Sequence, residues 1–283
     1  MGKGYKIRIG NTKTTYRMKS DGTVYKYEEM DPTSIYGKHN ENDEILYLRS
    51  TPENNYEKFT KWNNMYRIGT KWNQEKIKKV IIEEPIAPDT VCSMFYDCWS
   101  LKEIEMIENL HVENTTSFNS MFQGCTSLEN INLNKFDTCN VTDMCRMFSG
   151  CQKLKELNLE EIETSNVNNM NSMFRGCGKL TKLDLNSFDT SNVTDMTSMF
   201  HDCVSIVELN LSSFNTGKVT IMKDMFNCCW KLKSVDMKSF NINNVTEISN
   251  MFYGVPNTIV IKATPATKTR IIGEYPDLEN NFE

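Results

Sequence analysis

Histidine is scarce in this chain: His39, His111 and His201 are the only three among 283 residues, and they are scattered. No Gly-x-Ser-x-Gly elbow, phosphate-binding loop or His-Glu-x-x-His pair occurs. Paired acids are plentiful, but a repeating surface generates such pairs from its period alone. The expectation is a protein that is not an enzyme and that has no cofactor and no metal site. Positive charge is also in deficit. The formal net charge is −5, whereas nucleic-acid surfaces are basic, so no nucleic-acid partner is expected. Long apolar runs are missing, which argues against membrane insertion. The start, Met1-Gly2-Lys3-Gly4-Tyr5, lacks the apolar segment of a secretory signal, and Lys6 spoils a myristoylation pattern. The C-terminus shows no hydrophobic anchor.

What the chain has instead is a period. Its Met-Phe pair recurs at Met94-Phe95, Met121-Phe122, Met147-Phe148, Met173-Phe174, Met199-Phe200, Met225-Phe226 and Met251-Phe252, in steps of 27 and then 26 five times. A period of this size is the mark of a stacked-coil solenoid, because each unit is too small to bury its own apolar face.

Three pieces make up the unit. Leu-x-x-Leu-x-Leu recurs, for example as Leu154/Leu157/Leu159 and Leu180/Leu183/Leu185, and its last two positions alternate as in a strand. Stacking would align these segments in one long parallel sheet. Next comes Phe-Asp-Thr-Ser-Asn-Val-Thr-Asp-Met, as in Phe188 to Met196. Its Asp-Thr-Ser-Asn stretch reads as a loop, since these side chains bond nearby backbone. Then Val193, Met196, Phe200 and Cys203 are spaced by 3, 4 and 3, which predicts a short helix. Gly124, Gly150, Gly176 and Gly254, with Asp97 and Asp202 at the same position, stand where such a helix would need a left-handed residue to stop.

Together, Leu-x-x-Leu-x-Leu, Phe-Asp-Thr-Ser-Asn-Val-Thr-Asp-Met and Met-Phe-x-Gly-Cys resemble the BspA-like leucine-rich repeat family of bacterial surface proteins over roughly residues 85–260. Departures are Asn114-Thr115-Thr116-Ser117, Lys218 in place of Asn and Val255 in place of Cys. The resemblance implies an α/β fold: a leucine-rich-repeat-type solenoid of about seven 26-residue strand–loop–short-helix coils. It also implies a cell-surface or adhesive role without catalysis. The expected layout is a mainly β N-terminal cap over residues 1–80, the solenoid over 81–262, and a cap helix with an acidic, frayed tail over 263–283.

Six of the ten cysteines, Cys98, Cys125, Cys151, Cys177, Cys203 and Cys229, hold one repeat position. They are expected to form a column of small buried thiols, not disulfides or metal ligands. Cys228 is the expected exposed thiol. In the N-terminal region Tyr5 to Ile9 reads as a strand, and Thr15 to Lys19 pairs with Thr23 to Tyr27 across Asp21-Gly22. Residues 31–43 read as a polar loop. The aromatics Tyr56, Phe59, Trp62, Tyr66 and Trp72 either pack a cap core or offer a sugar or partner platform.

Function is expected on the outward strand positions. One column holds Glu103, Asn130, Glu156, Lys182, Glu208 and Ser234; the other holds Glu105, Asn132, Asn158, Asp184, Asn210 and Asp236. A polar, acidic face of this kind suits a basic or hydroxyl-rich partner. The expected role is a non-catalytic binding or adhesion module for a host or neighbouring-cell protein or glycan, within a cell-surface or phage-virion assembly. The alternative is an intracellular protein–protein scaffold, and a cytoplasmic location stays open.

Overall fold

The computed structural model describes residues 34–61 and 65–283, with the backbone of three strands nearer the N-terminus. Those three are β1 (Ile7–Arg8), β2 (Thr15–Met18) and β3 (Val24–Tyr27). They form an antiparallel sheet in which Met18 faces Val24, as the hairpin reading requires. The expected turn at Asp21-Gly22, and Trp62, lie outside the described residues. Next come β4 (Ile35–Asn40), β5 (Ile45–Arg49), β6 (Glu57–Phe59), α1 (Ile68–Lys71) and β7 (Lys79–Ile82). The repeats supply β8 (Glu103–Glu105), β9 (Asn130–Asn132), β10 (Glu156–Asn158), β11 (Glu208–Asn210), β12 (Ser234–Met237) and β13 (Val260–Ala263). The chain closes on α2 (Pro265–Glu274) and a 3-10 turn over Pro276–Asn281.

The repeats form a β-solenoid of about seven turns, and the short helix expected in each coil does not form. The segment from Met196 to Cys203 is a run of turns. Every second N–H leaves its own coil: Met196 donates to the Ile221 carbonyl (3.1 Å), Ser198 to Lys223 (2.8 Å), Phe200 to Met225 (2.9 Å) and Asp202 to Asn227 (2.8 Å). The N–H groups between them close turns at home, with Met199 donating to Met196 O, His201 to Ser198 O and Cys203 to Phe200 O. A helix would send each N–H four residues back along the same segment. Here Ser198 (φ 54°) and Asp202 (φ 58°) sit left-handed, the third-position geometry of a type II turn. The same two positions are left-handed in every coil, including Ser172 with Gly176 and Asn250 with Gly254. The left-handed glycines were thus correctly placed, but they shape turns instead of ending helices.

Inside the turns lies a continuous aromatic stack. Phe95, Phe122, Phe148, Phe174, Phe200 and Phe226 stack with centroids 5.3–6.0 Å apart and planes within 12°. Phe252 continues it, and Tyr275 closes it edge-on at 5.9 Å. Each such contact contributes about 0.5–1.5 kcal/mol beyond burial. Beside it runs the cysteine column. The thiols of Cys125, Cys151, Cys177, Cys203 and Cys229 donate to the carbonyls of Phe95, Phe122, Phe148, Phe174 and Phe200, at 3.1–3.3 Å. All ten cysteines are free. The exposed thiol is Cys139; Cys228 is only half-exposed, because its backbone is tied into the turn rail through the Tyr253 carbonyl.

The strand segments do not make one long sheet. They fall into β6-β4-β5-β7-β8, β10-β9 and β11-β12-β13. Pairing lapses at Lys182-Leu183-Asp184, where Leu183 is half-buried, although Leu180 and Leu185 stay in the core. The unbroken parallel seam runs instead through Ser117, Asp143, Asn169, Asp195, Ile221 and Glu247. Register is held there, so a strand can lapse on the opposite side without the stack coming apart.

Both ends differ from expectation in one respect each. The polar stretch 31–43 contains β4, whose Ile35 and Gly37 face inward between β5 and β6. A Cβ at Gly37 would collide with the Trp72 ring, so the glycine seats that indole in the cap core. Phe59, Tyr66 and Trp72 are all buried, which removes Tyr66 and Trp72 as an exposed platform. At the other end α2 forms with Thr264 as its N-cap and Pro265 in its first turn. The tail is ordered, not frayed: Leu278 is buried, Asn281 donates to the Asn257 and Ile259 carbonyls (both 2.7 Å), and Glu283 N–H reaches Ile261 O.

Two measurements probe this construction. Burial pushes the column thiols well up, Cys98 to about 12. Exposed Cys139 is raised to about 11, chiefly by its hydrogen bond to Asp137. A thiol reagent on native protein should therefore reach Cys139, and more slowly Cys92 and Cys228, leaving the seven buried cysteines unlabelled until unfolding. Labelling of Cys139 should accelerate with pH, and Asp137→Asn should speed it at fixed pH. Early modification of Cys177 would contradict the buried column.

Glu84 links the cap to the first coil. Arg49 donates to it, as do the Thr51 hydroxyl (2.7 Å) and backbone N–H (3.2 Å). These contacts, led by Arg49, lower its pKa from 4.5 to about 2. A carboxylate depressed in the fold stabilises it above the unfolded pKa, and that contribution fades as pH falls through the folded value. The melting-temperature gap between wild type and Glu84→Gln should be full above pH 4.5 and shrink towards zero near pH 2. A gap independent of pH would show that the ion pair does not stabilise the fold.

Candidate functional site

The strand face brings both outward columns together, but their members do different things. Asn132, Asn158, Asp184, Asn210 and Asp236 each accept, through Oδ1, the backbone N–H two residues on, at 3.0–3.1 Å. This is an Asx turn, and it explains why the column is restricted to Asn and Asp beyond Glu105. The column fixes the chain's exit from the strand. Its side chains are exposed, except the half-buried Asn158 and Asp236, and the oxygen used in the turn keeps only a spare lone pair for a partner.

The other column is less committed. Asn130, Glu156, Lys182 and Glu208 are exposed, and Ser234 is half-buried. Glu156 lies beside Asn130 in the β9–β10 pairing, and Glu208 beside Ser234 in the β11–β12 pairing. Glu103 is the exception at the N-terminal end, where Lys79 Nζ lies 3.2 Å from it and also reaches Glu105. Along the array the sign alternates, from Glu156 to Lys182 to Glu208.

A depression lies on this face. It holds about 410 Å³ and is lined by Glu103, Asn130, Asn132, Glu156 and Asn158, with Ile104, Met106, Ile107, Glu108 and Ile131. It lies where β8 and β9 part into different sheets. Met106, left-handed at φ 55°, starts the 3-10 turn Ile107–Asn109 and diverts the chain there. Met106, Ile107 and Glu108 were not among the expected site residues. The signal was present in the first coil's step of 27 instead of 26, which places the extra residue between Met94 and Met121.

Sequence reasoning also passed over the exposed aromatics of the turn rim. Trp99, Trp230 and Tyr253 are 37%, 63% and 66% exposed. Aligning coils would have found the tryptophans, which follow the ladder cysteine where other coils carry Thr126, Gln152, Gly178 and Val204. Among the described residues no group of three or more His, Cys, Asp or Glu side chains converges as a metal site. No helix among them is long and apolar enough to cross a membrane.

Stacked near-identical coils around aromatic, thiol and leucine columns define a repeat solenoid, a class built as an extended surface. A family profile described as "Mycoplasma protein of unknown function, DUF285" matches residues 89–203 and 177–259, and the chain belongs to that family. No curated protein matches the chain in sequence.

The division of labour between columns can be measured. Asp184→Ala leaves the Asn186 N–H without its acceptor and should cost about 1 kcal/mol in urea unfolding. Glu156→Ala, on the uncommitted column, should change stability by no more than ~0.5 kcal/mol. Equal costs would mean the two columns do not differ in their structural role.

Proposed function

We propose that the chain is a non-catalytic binding module of BspA-like type, acting in attachment at a cell surface or on a virion and recognising a protein or glycan partner through its strand face. One observation carries the reading: the column Glu103, Asn130, Glu156, Lys182, Glu208 and Ser234 changes identity and charge from coil to coil. The Asx column beside it and the turn rail opposite are occupied by structural hydrogen bonds. The repeat-solenoid fold supports a binding module, and the resemblance of its repeats to bacterial surface proteins supports the attachment role. A partner spanning several coils would make modest contacts at each, because the column lacks the aromatic anchors that dominate tight interfaces.

The experiment is a glycan and protein array probed with wild type and with Glu156→Lys combined with Glu208→Lys, at two ionic strengths. Asp184 is left intact because it holds a turn. Binding should fall about tenfold in the double variant, the equivalent of ~1.4 kcal/mol, and weaken with salt in the wild type. Melting should be unchanged. Ligands bound equally by both proteins would place recognition away from this face.

A further inference from the structure

The depression between β8 and β9 has two chemical characters. Ile104, Met106, Ile107 and Ile131 give it an apolar lining, and Met106 is 47% exposed. Around them stand Glu103, Glu108 and Glu156. Glu105 stands next to Glu103 on β8, and the Lys79 ammonium is shared between those two, so Glu108 and Glu156 are not paired with it. Lys155, the neighbour of Glu156, turns away to Glu129 at 2.7 Å. The local charge is therefore net negative, over a lining that a bare ion would not use.

We infer that this depression receives a lysine or arginine side chain from a partner polypeptide. The inference rests on the binding-module reading and names the chemistry of its partner. A metal ion is disfavoured because the carboxylates do not converge as a ligand set. A neutral sugar would leave the charge unanswered. A long basic side chain meets both halves at once: its methylene stem lies along Met106 and the isoleucines, and its cation reaches the carboxylates. The volume of about 410 Å³ falls in the size range of sites that take a small organic group. The depression is built by backbone, since Met106 at φ 55° and the 3-10 turn after it separate β8 from β9.

The test uses a pentapeptide with two lysines separated by glycine, its Nε-acetylated counterpart and a glutamate counterpart. Amide shifts are followed by NMR on the full chain. The lysine peptide should move the amides of 104–108 and 130–132, and added salt should weaken it. Acetylation should weaken binding at least tenfold, and the glutamate peptide should not bind. Met106→Asn, which tolerates the left-handed backbone, combined with Glu108→Gln should lose about tenfold, with melting as the folding control. Equal binding of the acetylated peptide, an unaffected double variant, or no shifts up to about 5 mM peptide, the scale of a negligible affinity, would overturn the inference. If array partners are lost by Glu208→Lys, which lies outside the depression, but kept by Met106→Asn with Glu108→Gln, the strand face binds without the depression. Loss with Met106→Asn and Glu108→Gln but not with Glu208→Lys would assign recognition to the depression instead of the array.

Discussion

The structure depends on where alternate backbone N–H groups go. In the five central coils four of them, such as those of Met196, Ser198, Phe200 and Asp202, bond to the next coil. That one demand fixes two left-handed residues four apart and turns the first two side chains between them, such as Met199 and Phe200, inward. It also fixes the distance at which successive phenylalanines must sit, 5.3–6.0 Å through most of the array. Phe holds this position in all seven coils, beside Leu, Val and Met columns buried at the same repeat. The cysteines complete the same network. The Phe95 carbonyl takes the Cys98 N–H from its own coil and the Cys125 thiol from the next, using both lone pairs of one buried oxygen. A hydroxyl or methyl at this position would change either the reach of the donor or its presence.

This shows what the sequence makes legible. The period, the phenylalanine, leucine and cysteine columns and the left-handed glycine position follow from repetition, since each coil is an independent sample of the same environment. The helix was misread because apolar residues at spacings of 3 and 4 also arise in consecutive turns. Only the destination of the N–H groups separates the two, and that is a property of the neighbouring coil. A clue lay in Ser172 and Ser198, small polar residues inside an otherwise apolar run, now left-handed and buried. The strand at Ile35–Asn40 was missed for a different reason. Its signal is diluted by Gly37, Lys38 and His39, and Gly37 is explained only by Trp72, distant in sequence. Of the candidate face, the outward direction of the columns was readable, but the Asx turns were not distinguished from free surface.

The polar part of the motif is consumed in the same way. Thr190 Oγ1 donates to the Asn215 carbonyl (3.0 Å) and accepts the Asn215 N–H (2.8 Å), and Thr138, Thr164 and Thr216 repeat the exchange. Asn166 and Asn192 donate to Cys139 O and Ser165 O in the preceding coil. Lys218, a departure from the Asn pattern, still reaches back, to Asn192 Oδ1 at 2.6 Å. The residues that make the repeat recognisable thus specify stacking. Information about a partner has to reside at positions where coils differ.

Those positions have a distinct electrostatic consequence. Glu156, Lys182 and Glu208 alternate in sign at the spacing of successive coils, shorter than the ~8 Å screening length at physiological salt. Opposite charges that close cancel one another a short way into solvent, so the middle of the array can set the register of a partner already in contact but attracts little from afar. The first coils behave differently. There Glu103, Glu105, Glu108 and Glu156 outnumber Lys79, and the field of a cleft edge is not cancelled by its neighbours. Extra carboxylates and an extra residue in the period coincide at one place. A partner approaching this solenoid would therefore meet its charge first at the depression and read the coil-by-coil pattern only afterwards.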